Sequence, residues 1–509
     1  MFAKVSSLGL FGLNAFPVDV EIDINKGQPQ FDVVGLPDAV VRESRERIKA
    51  TLRACDIKFP IACVMINLAP ASTKKSGSVY DMAIFMALLS AMKMIDVSTD
   101  GYAFIGELSL NGNFRGINGV LPMVMLAREM GMKAVCVPYD NAYEASAIQG
   151  IDIYAVKTAE ELIMHFRNEK IMKPCKHYIP PAAAYNDVID FCDVKGQRLA
   201  KKALEIAAAG GHNAILIGPP GSGKSMLAKR MPTILPVLSF EEALETTNVH
   251  SISGLLDPDT PIVTKRPFRS PHHTISPAGL IGGGSVPQPG EVSLSHNGLL
   301  FLDELTEFSK HTLEVLRQPM EEGKVSISRA SGNAVYPCRF MLMAAMNPCP
   351  CGYFGHPTIK CTCSPKKVSD YLNRVSGPLL DRIDLHIEVA PVEYKDLASS
   401  KKEETSAQIR ERIIAAREKQ AERFKGTSIT CNALITDNVI NEMCKIDKGG
   451  EDILQNVIDN LGLSGRAYNR ILKVARTIAD LDNSEVILRK HVGAAIQYRS
   501  LDRKYWQGK

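Results

Sequence analysis

The chain has 509 residues, 45% of them hydrophobic and 23% charged, which is ordinary for globular protein and enough for about three domains. Its longest apolar run, Ala83 to Met92, is interrupted by Ser90 and is too short to cross a bilayer. The start, M-F-A-K-V-S-S-L-G-L-F-G-L, has one Lys and no small-residue cleavage site, which argues against export and leaves the cytoplasm as the expected address.

Residues 1–172 read as an α+β unit without a phosphate loop. Val18-Asp19-Val20-Glu21-Ile22-Asp23-Ile24 alternates like a half-buried strand, and Ala39 to Ala54 has apolar residues at helical spacing. Val64 to Leu68 predicts a strand, and Asp81 to Met92 a buried helix. Phe104 to Leu110, followed by Asn111-Gly112, predicts a strand entering a hairpin turn. Two stretches, N-L-A-P-A-S-T-K-K-S-G-S-V-Y-D and I-G-E-L-S-L-N-G-N-F-R-G-I-N-G-V, resemble the proteolytic domain of the Lon family. That family uses a Ser–Lys dyad. Here Ser78 is one place out of register, and Gly119-Val120-Leu121-Pro122 has no Lys. The expectation is a retained fold without proteolysis, used for assembly or nucleic-acid contact.

Residues 173–188 carry three prolines without periodicity and read as a linker. A second domain is expected over 189–392. A helix over Arg198 to Ala209 precedes N-A-I-L-I-G-P-P-G-S-G-K-S, an apolar strand running into G-x-x-x-x-G-K-[ST] and then a helix. In that context Gly218, Pro219, Pro220, Gly221, Ser222, Gly223, Lys224, Ser225 and Met226 form a nucleotide-binding loop. Backbone N–H groups meet the phosphates, Lys224 reaches the β- and γ-phosphates, and Ser225 binds Mg²⁺. The chain therefore binds a nucleoside triphosphate, with ATP and Mg²⁺ as the expected cofactors.

A long stretch rich in Gly, Pro and His follows, R-P-F-R-S-P-H-H-T-I-S-P-A-G-L-I-G-G-G-S-V-P-Q-P-G-E; such a length points to function. His272-His273 reads as a polar loop pair, since no metal-ligand spacing accompanies it. Gly298-Leu299-Leu300-Phe301-Leu302-Asp303-Glu304 predicts a buried parallel strand ending in two carboxylates. Asp303 is placed to hold Mg²⁺, and Glu304 to act as general base on the attacking water. A helix over Lys310 to Glu322 precedes an expected hairpin about Ser331-Gly332-Asn333. A strand over Arg339 to Ala345 then ends near Asn347, a polar residue able to orient the lytic water or sense the γ-phosphate.

Cys349, Cys351, Cys361 and Cys363 follow within fifteen positions. With 12 Cys in a reducing compartment, this set is either a Zn²⁺ knuckle or a reduced Cys-rich loop. Leu379 to Leu385 brings Arg382 beside Asp381 and Asp384. From 393 to 509 the chain is expected to be helical, a lid formed by helices over Lys402 to Phe424, Asp437 to Lys445, Glu451 to Leu461, Ala467 to Leu481 and Glu485 to Arg499. Lys401 to Lys509 holds 20 Lys and Arg against 15 Asp and Glu, so the net charge of +4 is concentrated there. A polyanionic partner or a solvated helical surface gives the same count.

The order of these motifs resembles the AAA+ pattern. In that pattern Asn347 fills the sensor 1 position, and Arg382 the arginine finger that enters a neighbouring subunit's site, with Arg374 as alternate. Arg466 fills sensor 2, behind a cap at Ser464, with Arg470 as alternate. The insert before the second strand and the hairpin before Asn347 resemble the magnesium-chelatase/MCM branch. With the Lon-like first unit, N-P-C-P-C-G and S-G-P-L-L-D-R-I-D-L-H, the chain resembles the YifB/ComM family of bacterial competence-related, magnesium-chelatase-like ATPases. The resemblance implies an α/β P-loop NTPase core with an α+β Lon-protease-like N-terminal domain and an α-helical C-terminal lid. It also implies a hexameric ring that hydrolyses ATP and acts on DNA as a helicase promoting branch migration in natural transformation and recombination. Lys324 and Arg329 of the hairpin would then touch phosphates. The alternatives are a chelatase-like or protein-remodelling subunit and, less in keeping with the missing Lys, a Lon-like protease.

Overall fold

The computed structural model of the chain describes residues 1–178, 188–257, 260–284, 286–329, 332–392, 394–397, 403–461, 465–499, 501 and 505–506. Most of the expected linker, 173–188, lies outside the described residues. Its first part follows the edge of a sheet, where Cys175 N–H donates to Ile153 O at 2.7 Å.

The alternating segment at Val18 to Ile24 belongs to a longer strand, Asn14–Asn25, paired antiparallel with Phe2–Phe11. Val18, Val20, Ile22 and Ile24 are buried, as a period of two on one covered face requires. These strands lie inside a seven-stranded mixed sheet. Its order is Gln30–Val34, Cys63–Ala69, Asn14–Asn25, Phe2–Phe11, Tyr102–Phe104, Ala134–Pro138 and Asp152–Val156. Helix Asp81–Ala91 is apolar on almost every side and is correspondingly buried against this sheet. The single helix expected over Ala39 to Ala54 is two, Ala39–Arg42 and Ser44–Ala54.

A second sheet has five parallel strands ordered Phe268–Arg269, Leu299–Leu302, Met341–Met346, Ala214–Ile217 and Leu385–Glu388. The three strands A-I-L-I, L-L-F-L and M-L-M-A-A-M are buried throughout, because layers cover both faces. Leu216, Leu299 and Phe301 point into one core, shared with Ile409, Ile413, Ile471 and Leu472 of the C-terminal helices. Ile215, Ile217, Leu300 and Leu302 point into the other, shared with Val325, Ile327, Ala334 and Tyr336. The stretch rich in Gly, Pro and His is partly ordered: it supplies the edge strand Phe268–Arg269 and a short helix, Pro277–Ile281. The hairpin is Lys324–Arg329 with Gly332–Pro337, Arg329 opposite Gly332. Its inner residues are buried, while Lys324, Ser326, Ser328, Arg329, Asn333 and Val335 are exposed. The helix expected over Lys310 to Glu322 is broken between Glu314 and Arg317.

C-terminal helices run Ser406–Arg423, Lys448–Leu461, Gly465–Leu481 and Arg489–Gln497; Asp437 to Lys445 yields only Ile440–Met443. Among the described residues no helix is long and apolar enough to cross a membrane. Several contacts among the described residues join the seven-stranded sheet's unit to the second, including Asn248 Nδ2 on Met125 Sδ at 3.5 Å and an apolar cluster of Ala147 with Leu238, Ala243 and Ile262. Helix Val120–Glu129 packs near Phe240–Ile252, with Gly119 N–H on Ser251 O at 3.2 Å, and buried Glu144 accepts from Leu121 N–H at 3.0 Å and from Ser251 Oγ. At the hairpin tip, a side chain at Gly332 would begin 2.7 Å from the Phe11 ring.

Candidate functional site

Parallel pairing puts the carboxyl ends of three neighbouring strands at one edge. Ile217 is level with Met346, and Leu302 with Ala344, so the next residues, Gly218, Asp303 and Asn347, emerge together. The strand carrying Asn347 lies between the other two, which brings Asn347 close to the loop.

The loop itself has the shape its glycines require. Gly221 and Gly223 have φ of 76° and 90°, and a Cβ at either would meet nothing within 4 Å. At Gly218 the constraint is contact: a Cβ there would stand 2.2 Å from Val389 O. Helix Lys224–Ile234 starts directly behind Gly223, with Met226 in its first turn. Lys224 is buried, and its Nζ donates to Gly218 O and Pro219 O at 2.8 Å and to Asn347 Oδ1 at 3.1 Å. Burial pushes the pKa of its ammonium down, while the charge of Asp303 pulls it up. Ser225 Oγ donates to Asp303 Oδ2 at 2.6 Å. Ser222 O accepts from Gln197 Nε2 at 3.1 Å, which also reaches Ala390 O at 2.6 Å. Gln197, at φ 54°, stands just before helix Arg198–Gly210, outside the phosphate-loop pattern itself.

Glu304 has a positive φ of 50°, its N–H donates to Asp303 Oδ1 at 3.0 Å, and its side chain is 64% exposed. The carboxylate faces a cavity of about 300 Å³ lined by Glu304, Glu307, Asn347, Pro350, Tyr371 and Arg374. His273, read from the sequence as half of a polar loop pair, has its Nδ1 3.6 Å from Glu304 Oε2. Arg374 stands in the same cavity and donates to Thr306 O at 3.2 Å.

Lys224, Ser225, Asp303, Glu304 and Asn347 are thus brought together. The expected arginines are placed differently. Arg382 is 8% exposed, donates to Pro378 O at 2.6 Å and is paired with Glu321 of the same chain. Arg466 is exposed in the first turn of Gly465–Leu481, while its expected cap Ser464 lies outside the described residues. Arg470 is engaged by Asp384 Oδ1 at 3.3 Å. The four cysteines gather next to Asn347, their sulfurs all within 4.8 Å of one another. In the first unit, Ser78 Oγ is hydrogen-bonded to Glu107, and Leu121 is buried.

Comparison with known proteins gives the family. The family described as magnesium chelatase, subunit ChlI, matches residues 190–397; subunit ChlI of Mg-chelatase matches 20–141, and the subunit ChlI C-terminal family matches 403–499. The YifB protein of Escherichia coli (strain K12) is 40% identical over 504 residues, covering 98% of this chain and 97% of that protein. Competence protein ComM of Haemophilus influenzae is 40% identical over 509 residues, 98% of each. Lon protease 2 of Bacillus subtilis (strain 168) is 27% identical over 177 residues, 31% of this chain and 32% of that protein, so the Lon likeness is partial. With its strand order, its phosphate loop and near-full-length relatives at this identity, the chain belongs to the YifB/ComM family of magnesium-chelatase-like AAA+ ATPases.

Proposed function

We propose that the chain is one subunit of a hexameric ring that hydrolyses ATP and acts on DNA as a helicase, promoting branch migration in natural transformation and recombination. One juxtaposition carries the ATP half: Ser225 against Asp303 and Lys224 against Asn347, at the carboxyl edge of adjacent parallel strands. These residues fit the ligand. Ser225 and Asp303 offer hard oxygen donors for Mg²⁺, and Lys224 with the loop N–H groups would receive the phosphates. Mg²⁺, when bound, neutralises charge on the transferring phosphoryl group. Lys224 would exchange its carbonyl partners for phosphate oxygens, Asn347 would orient the attacking water, and Glu304 would accept its proton. Arg382 would serve the neighbouring subunit's site on leaving Glu321, and Arg466 would approach the γ-phosphate from the C-terminal helices.

Support for the DNA half comes from the Haemophilus influenzae relative, which is named a competence protein. The exposed face of the hairpin, with Lys324 and Arg329, and the positive charge of the last fifth of the chain supply contacts for phosphates. The test is the steady-state ATPase rate of the full chain with and without single-stranded or branched DNA, alongside sedimentation with Mg-ATP. A six-subunit species whose rate rises with DNA, and whose DNA binding weakens as salt rises, is expected. A rate indifferent to DNA at low salt would favour a chelatase-like or protein-remodelling subunit. A monomer turning over at full rate would remove the ring.

A further inference from the structure

From Asn347 to Ser364 the chain contains no helix or strand, yet Cys349 within it is fully buried. Something other than backbone pairing holds this segment. Its four cysteines converge: Cys349 Sγ lies 3.3 Å from Cys351 Sγ and 3.7 Å from Cys361 Sγ, and Cys351 Sγ lies 3.5 Å from Cys361 Sγ. Cys363 completes a set whose sulfurs are all within 4.8 Å of one another. Four thiolates about 2.3 Å from one Zn²⁺ stand about 3.8 Å apart, so the observed spacing is close to that of a tetrahedral S₄ shell. Backbone donors are aimed at the sulfurs: Phe354 N–H at Cys349 Sγ, 3.3 Å, and Cys363 N–H at Cys361 Sγ, 3.4 Å. Such N–H···S bonds favour thiolates and orient them as ligands. The Tyr505 ring lies tilted against that of Phe354, with centroids 6.2 Å apart.

This segment also touches the phosphate loop. A Cβ at Gly352, between the two cysteine pairs, would stand 2.5 Å from Pro220 Cδ. Pro350, between Cys349 and Cys351, lines the cavity that holds Glu304 and Asn347. Cys349 follows Asn347 by only two residues.

We propose that Cys349, Cys351, Cys361 and Cys363 bind one Zn²⁺ as a tetrathiolate, and that this centre braces Asn347 and the Pro220 side of the phosphate loop, so that nucleotide affinity depends on it. Binding exchanges the thiol protons for the metal, with no change of oxidation state. The zinc assignment stands on the sulfur geometry alone; the bracing rests in addition on the loop being the nucleotide site.

The metal content of the full chain, purified without chelator, tests the first part, with about one zinc per chain expected. Cobalt loaded into the native chain in place of zinc should show the intense visible bands of a tetrahedral thiolate site, a readout that requires no variant to fold. Stoichiometric iron with its own visible absorption would overturn the choice of zinc. No retained metal, and no uptake of Zn²⁺ or Co²⁺ by the reduced protein, would overturn the site. For the second part, Cys363→Ser should lose zinc and weaken binding of a non-hydrolysable ATP analogue by about tenfold, the size seen when a metal's supporting shell is removed. Zinc lost with affinity unchanged would overturn the bracing and leave the nucleotide site intact. Failure of the wild-type chain to bind any ATP analogue would instead count against the nucleotide reading, leaving the zinc result to stand.

Discussion

Glu304 occupies a left-handed backbone conformation, at φ 50°, that a side chain with a Cβ adopts at a cost of about 1 kcal/mol or more. The strain is held by the buried strand before it and by its N–H bond to Asp303. Its effect is to turn the carboxylate into the cavity rather than back along the sheet. Glu304→Gln preserves size and should lower ATP turnover by about 10²- to 10⁴-fold while leaving nucleotide binding intact, as rate and equilibrium binding measured in parallel will show. At this scale the sequence was informative wherever function and local pattern coincide. Gly218 to Ser225 were legible because the loop's chemistry is written in consecutive residues. Arg382 was not: its partner Glu321 lies 61 positions away, and no local spacing reveals that pair. His273 was missed for the same reason, since Glu304 comes to it only through the sheet.

Where strands begin, Asp384 ties elements together. Its carboxylate accepts from Asn213 N–H at 3.1 Å and from Arg470 at 3.3 Å, and lies 3.4 Å from His212 Nδ1. Burial opposes its ionisation, but the nearby His212, with the charges of Arg470 and Lys473, outweighs it and holds the carboxyl down to about 2. A depressed folded pKa stabilises the fold above the ordinary value of 3.8 and loses that contribution as pH falls toward 2. Asp384→Asn should remove on the order of 2 kcal/mol at neutral pH and flatten the acid limb of thermal unfolding between those values. The hairpin makes a separate prediction. Lys324→Glu with Arg329→Glu should weaken DNA binding, reduce its salt slope by about one for each phosphate no longer engaged, and spare ATP affinity. Long apolar strands and the hairpin were readable from period and turn chemistry. The two broken helices were not, because periodicity continues across Glu43 and across Val315-Leu316 although the backbone does not.

For the molecule as a whole, a ring requires that each site be completed by its neighbour. Doping Glu304→Gln subunits with Arg382→Ala subunits tests this. Sites pairing an intact glutamate with an intact arginine across the interface should restore part of the rate that each variant lacks alone; strictly additive residual rates would place Arg382 outside the neighbour's site. Arg374→Ala run in parallel separates the alternate, which already lines its own subunit's cavity. The C-terminal helices share one apolar core with the five-stranded sheet, so they are expected to unfold with it in a single transition. The amino-terminal sheet is joined by a different sort of contact. Phe11 covers Gly332 at the end of the strand pair that DNA is proposed to touch. A displacement of that strand pair cannot leave the first sheet untouched, because Phe11 must either follow Gly332 or give up the seat it has beside it.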